Sequence, residues 1–189
     1  MKEFWCDVET TGLDPQKNGI WQIAYLIHDG DRDINREFKI QPFPTDEIED
    51  RALEVGGIKR DDLKTFHPAI KVYRALLADL GTIVDKYDQR DKMLFYAYNA
   101  AFDNQFLRSF FVKCGDKYFG SWFWFPYLDI MTLAMYYLKD RRSQMPNFKL
   151  ATVANELGIK IKDENLHNAS YDIEITRKIL QEIINENFL

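Results

Sequence analysis

A chain of 189 residues, 46% hydrophobic and 15% aromatic, has apolar material for one globular domain and no room for a second full one. Its formal charge of −5 argues against a protein that grips long duplexes through a basic face, and 29% charged residues is ordinary for a folded chain. Cys6 and Cys114 lie outside any CxxC or Cys/His spacing, the start resembles no signal peptide and no apolar run is long enough to span a bilayer; a reduced, cytoplasmic domain over residues 1–189 is expected.

Three short apolar runs come first. Phe4 to Val8 ends at Gly12 and Asp14-Pro15; Gly19 to His28 closes on Asp29-Gly30; Ile34 to Ile40 stops at Pro42 and Pro44. Their short spacing predicts an antiparallel meander. The stretch Gln41 to Phe66 reads as a long connection with a short helix near Asp46 to Leu53. From His67-Pro68 onward Ile70, Tyr73, Leu76, Leu77, Leu80 and Ile83 recur at three and four residues, the period of an amphipathic helix. Met93 to Tyr98 reads as a strand, Asn99 as an N-cap, and Phe102, Phe106, Leu107 and Phe110 as the buried side of the next helix. Phe123 to Leu128 is expected as a fifth strand, bounded by Gly120-Ser121 and Pro126, with the aromatic run Trp122 to Phe125 buried in it. Ile130 to Leu138, Lys149 to Leu157 and Tyr171 to Ile184 complete the order as helices. Strands interleaved with helices in this order predict an α/β protein with a mixed sheet.

Chemistry concentrates at Asp7-Val8-Glu9. Residues two apart on a strand point the same way, so Asp7 and Glu9 place two carboxylates side by side, a donor set suited to Mg²⁺ or Mn²⁺. Asp-x-Glu alone is a weak signal in a chain this acidic. A second copy, Asp172-Ile173-Glu174, falls on a predicted helix, where residues two apart diverge. The setting of the first copy is unusual: Phe4, Trp5 and Val8 surround it, and acids are seldom placed on a core strand without a ligand or partner. Thr10-Thr11-Gly12 follows, where backbone N–H groups can approach a substrate.

Three segments together resemble the DEDDh 3′–5′ exonuclease family, which includes the proofreading epsilon subunit of bacterial DNA polymerase III: Asp7-Val8-Glu9-Thr10-Thr11-Gly12-Leu13, Tyr98-Asn99-Ala100-Ala101-Phe102-Asp103-Asn104-Gln105-Phe106-Leu107, and His167-Asn168-Ala169-Ser170-Tyr171-Asp172. Asp129 to Ala134 and Lys149-Leu150 support the match, which runs from residue 4 to about 180. The resemblance implies a ribonuclease H-like fold with a five-stranded mixed sheet flanked by helices. It implies two Mg²⁺ or Mn²⁺ ions held by Asp7, Glu9, Asp103 and Asp172, with His167 as general base. It implies substrate contacts from Thr10, Thr11, Gly12, Leu13 and Phe102, with Phe102 equally readable as core. The implied substrate is a single-stranded or frayed 3′ end of DNA, or RNA, the implied partner a polymerase, with no membrane. One departure stands out: Gly56 occupies the place where the family often has a histidine before Gly-Ile. Lys139, Arg141, Arg142 and Lys149 read as a solvated basic loop, with phosphate contact the alternative. His28 and His67 read as structural.

Overall fold

The computed structural model describes residues 1–30, 32–162 and 168–187. In chain order it places β1 (Glu3–Thr10), β2 (Ile20–His28), β3 (Asp33–Gln41), α1 (Asp50–Val55), β4 (His67–Pro68), α2 (Ala69–Gly81), β5 (Leu94–Ala97), α3 (Ala100–Lys113), β6 (Leu128–Asp129), α4 (Ile130–Tyr137), α5 (Leu150–Glu156) and α6 (Ala169–Asn187). One mixed sheet runs β4-β3-β2-β1-β5-β6. β1–β2 and β2–β3 are antiparallel, as the short apolar runs predict; β5 pairs parallel with β1 and β6 with β5.

The alternation of β1 divides the core. Phe4, Cys6 and Val8 face a cluster built with α2 and α3, including Leu76, Phe106 and Phe111. Trp5 points the other way, stacks on Tyr96 at 4.4 Å between ring centroids, and packs with residues of α4 and α6 such as Ile130, Ile175 and Ile179. Strand β2 is buried on both faces from Ile20 to Ile27, as a central strand covered by two helical layers must be. Asp7 and Glu9 continue the Trp5 face toward the strand's C-terminal end, so the acids lie where that apolar layer runs out.

Several expectations change. Six strands are present among the described residues, not five: His67–Pro68 adds a two-residue strand beside β3 before α2 starts. The expected strand Phe123 to Leu128 is broken in two. Phe123 makes an isolated bridge to Met93, and pairing resumes only at Leu128–Asp129, because Pro126 interrupts the ladder. The aromatic run is accordingly not a buried strand: Trp122 and Phe123 are buried, whereas Trp124 is 42% and Phe125 86% exposed. Asn99 is not a side-chain N-cap. It adopts a left-handed conformation (φ 65°), and its own N–H and that of Ala100 donate to Asp129 Oδ1 at 3.0 and 3.2 Å.

Gly56 also acquires a physical account. A Cβ there would stand 2.5 Å from Cζ2 of Trp21, whose ring is buried against Leu53 and Leu63. Its φ of −77° suits any residue, so the indole, not the backbone, excludes a side chain.

Candidate active site

β1 carries the first two acids, and their local settings differ. Asp7 stands opposite Ala24 in the β1–β2 ladder, where a small neighbour leaves space above the sheet; Glu9 stands opposite Gln22. Directly after Glu9 the register slips, with Thr10 pairing Ile20, and the chain bends over residues 11–13. Thr10 Oγ1 donates to the Gly12 carbonyl at 2.6 Å and holds that bend.

α6 brings Asp172 to the same place. The helix begins beside the described Asn168, whose Oδ1 accepts the Tyr171 N–H at 3.1 Å while its carbonyl accepts the Asp172 N–H at 2.9 Å. Ala169 is fully buried, and Ile173 and Ile175 sit in the core beneath α6. Asp172 thus faces β1 from the first turn. Asp7, Glu9 and Asp172 each offer a carboxylate oxygen, all within 4.8 Å of one another. The neighbouring Glu174 diverges to pair with Lys178, as helical spacing requires.

Asp103 arrives from the opposite layer, in the first turn of α3. It is 3% exposed, and its Oδ1 accepts the backbone N–H of Val8 at 3.0 Å, between the two acids of β1. Asp129 sets where α3 starts. Besides the Asn99 and Ala100 N–H groups, its Oδ1 accepts the Met131 N–H at 3.2 Å and caps α4, while Thr132 Oγ1 donates to its Oδ2 at 2.6 Å. Asp129 is thus a structural contributor that sequence reasoning used only as supporting context. Its signal was present, an acid immediately before a helical run with a threonine three residues on.

The electrostatics follow from this crowding. Burial, and then the charges of Asp103, Asp172 and Glu9, hold the Asp7 carboxyl well above the usual carboxylate range. Burial and the Asp172 charge push Glu9 up to about 7. Burial also raises Asp103, against the opposing pull of its backbone hydrogen bonds. Among the described residues no lysine or arginine forms an ion pair with Asp7, Glu9 or Asp103. Converging carboxylate oxygens are hard donors, a set that fits divalent metal. His167, the expected base, lies outside the described residues.

A cleft of about 420 Å³ opens beside Glu9, with Leu13, Arg51, Val55 and Phe102 among its walls. Leu13 is 79% and Val55 60% exposed, and Phe102 is half-buried with its ring 4.7 Å from Phe106, so it belongs to both cleft and core. Thr10 and Gly12 also line it. Thr11 has a different environment: it is fully buried, its N–H donates to Gly19 O at 2.9 Å, and its hydroxyl donates to Glu47 O at 2.7 Å while accepting the Gly19 N–H at 2.9 Å. At Gly12 a Cβ would meet Asn18 at 2.4 Å and Glu49 at 2.3 Å, so side chains of the protein itself fill the space that glycine leaves. Arg51 and Val55 of α1 were not anticipated, since a helix this short carries no periodicity to read. Of the basic loop, Lys139, Arg141, Arg142 and Lys149 are all exposed, Arg141 pairing with Glu156. His28 pairs with Asp33 at 2.7 Å and His67 packs edge-on against Phe38, both in keeping with structural roles.

Comparison with known proteins places this geometry in context. The RNase_T family model, described as Exonuclease, matches residues 4–180. Ribonuclease T of Buchnera aphidicola is 26% identical over 189 residues, covering 95% of this chain and 82% of that protein. A DNA polymerase III of PolC type from Thermotoga petrophila is 32% identical over 174 residues, which are 92% of this chain and 11% of the polymerase. Among solved structures, E. coli Exonuclease I in complex with a dT13 oligonucleotide superposes with a TM-score of 0.73 at 19% identity. That likeness, of fold alone, covers 97% of this chain, which spans about 40% of Exonuclease I.

Proposed function

Because the chain belongs to the RNase_T family of exonucleases, we propose that it is a metal-dependent 3′–5′ exonuclease that releases nucleoside monophosphates from DNA 3′ ends. The observation that carries the reading is the convergence of Asp7, Glu9 and Asp172 within 4.8 Å, with Asp103 anchored between the two strand acids. In this reading Asp7, Glu9, Asp103 and Asp172 would hold two Mg²⁺ or Mn²⁺ ions, with Asp7 the most crowded of the four by the charges of the others. The chemistry that such ions supply is a lowered water pKa and neutralisation of charge on the attacking and leaving oxygens.

The residues divide the remaining work. His167 accepts a proton from the attacking water, a role suited to an imidazole near neutral pH. The oxygen of that water bonds to phosphorus, the P–O3′ bond breaks, and the 3′ hydroxyl of the shortened strand leaves with a proton. Leu13 and Phe102 hold the terminal base in the cleft, and Thr10, Thr11 and Gly12 shape the turn along its wall. The substrate is a single-stranded or frayed end, and residues 1–189 act as one exonuclease domain, with a polymerase as a possible docking partner.

A second reading, an exoribonuclease that trims RNA or degrades short oligoribonucleotides, is favoured by a separate observation. The ribonuclease T relative aligns across 82% of its own length, whereas the polymerase shares only 11%. A digestion assay decides between them. Purified protein receives 5′-labelled single-stranded DNA, duplex DNA with a 3′ mismatch, or RNA, each with Mg²⁺, Mn²⁺ or EDTA. Ladders shortening from the 3′ end of DNA, abolished by EDTA, are the expected result. Activity that survives EDTA removes the metal mechanism, and a preference for RNA transfers the assignment to the second reading.

A further inference from the structure

The acidic cluster is assembled from elements far apart in sequence, and a side chain belonging to neither joins them. Glu37 stands on β3 opposite Ala24, and Ala24 stands opposite Asp7, so all three lie in one cross-strand row. One Glu37 oxygen, Oε1, accepts from Gln22 Nε2 at 2.8 Å; Gln22 is 3% exposed and lies directly across the ladder from Glu9. The other, Oε2, accepts from the hydroxyl of Ser170, two residues before Asp172 in the first turn of α6. Each half of the cluster therefore holds one oxygen of the same carboxylate.

We infer that Glu37 is a positioning residue, a strut that sets the distance between Asp172 on the helix and Asp7 and Glu9 on the strand. The need for one is electrostatic. Three carboxylates within 4.8 Å repel one another, and the first turn of α6 can relieve that by drawing back from the sheet. Burial of Ile173, Ile175 and Ile179 holds the helix as a whole, but these residues lie on the far side of Asp172 from the helix start. At the start itself, Ala169 packs into the core and Ser170 bonds to Glu37. Glu37 is solvent-exposed, so its two bonds contribute little to global stability. Their effect falls on geometry, hence on affinity for a divalent cation, in the way that outer-shell partners of metal ligands act.

This inference rests on the reading that the cluster holds metal, and its test separates the two. Mn²⁺ binding to the full chain is titrated by the electron paramagnetic resonance of the free ion, without substrate. The same proteins are then assayed for turnover of labelled DNA and RNA against Mn²⁺ concentration. Glu37→Ala and Ser170→Ala are each expected to raise the half-saturating Mn²⁺ concentration by about 10-fold. The double variant should do no worse than either alone, since both remove one strut. Oligonucleotide KM should stay within about twofold and Tm within about 2 °C. Glu37→Gln, whose amide still accepts from Gln22 and meets Ser170, should recover much of the affinity. Unchanged Mn²⁺ binding in Glu37→Ala, or additive effects in the double variant, would overturn the strut while leaving the exonuclease reading intact. A wild-type protein that binds no Mn²⁺ and digests neither polymer would overturn that reading, and the strut with it.

Discussion

At the scale of residues, the cluster makes Asp172 and His167 separable by experiment. Asp172→Asn keeps the shape and removes one of the charges that raise Asp7 and Glu9. Turnover is expected to fall by more than the roughly 10–100-fold that outer-shell changes cost, because in the proposed reading a ligand itself is lost. The metal-free variant should nevertheless stay folded, since like-charge repulsion is relieved. A simultaneous loss of fold and activity would mean that Asp172 is a structural residue. His167→Ala should instead leave Mn²⁺ binding near wild type and lower turnover by roughly 10²–10⁴-fold, the usual share of a general base. Steady-state rates beside a Mn²⁺ titration check both variants, and near-normal turnover without His167 removes it from the mechanism.

At the scale of elements, what could be read from sequence was what depends on period. The meander, α2, α3 and α6 were legible because their buried residues repeat at two or at three and four. Asp7 and Glu9 were legible as a same-face pair for the same reason. What period cannot convey is which partner completes a contact. Asn99 looked like an N-cap, yet the acceptor for its segment is Asp129, thirty residues later. Phe123 to Leu128 looked like a buried strand because aromatics were dense, but Pro126 and an exposed Phe125 divide it. The cleft walls Arg51 and Val55 and the strut Glu37 carry no local mark at all; only tertiary packing gives them a place. Gly56 is a further case, visible as a departure from the family pattern but explicable only once Trp21 is seen over it. Gly56→Ala should destabilise the protein by about 1–3 kcal/mol through overpacking. Trp21→Phe, which removes the crowding atom, should make the same alanine less costly. Urea denaturation of the four proteins in this cycle measures the coupling; purely additive costs would show that the indole is not what glycine accommodates.

At the scale of the whole molecule, a folded state that gathers carboxylates at one place carries a stability that depends on pH and on cation together. Folding raises Glu9 from its ordinary value of 4.5 to about 7, and raises Asp7 and Asp103 as well. The folded protein therefore binds these protons more tightly than the unfolded chain. Stability from this source is fully present below the unfolded values and is lost as pH rises through the folded ones. Asp61 and Asp91, which are lowered, act in the opposite sense but below their ordinary 3.8, outside that window. EDTA-treated protein should thus lose stability between about pH 4.5 and 7, with Glu9 contributing about 2 kcal/mol after allowance for solvent screening, or roughly 4–8 °C in Tm. Glu9→Gln should flatten much of that slope. Mn²⁺ should reverse it, because a cation binds the deprotonated cluster: at about 100 times its dissociation constant it adds roughly 2.7 kcal/mol at pH 7 and less at pH 5, where protons compete for the same oxygens. Melting curves across this range, with EDTA and with Mn²⁺, report both slopes. A metal-free Tm that stays flat or climbs from pH 5 to 7 would mean that the acids do not strain one another, and would remove the electrostatic ground for a cation at their centre.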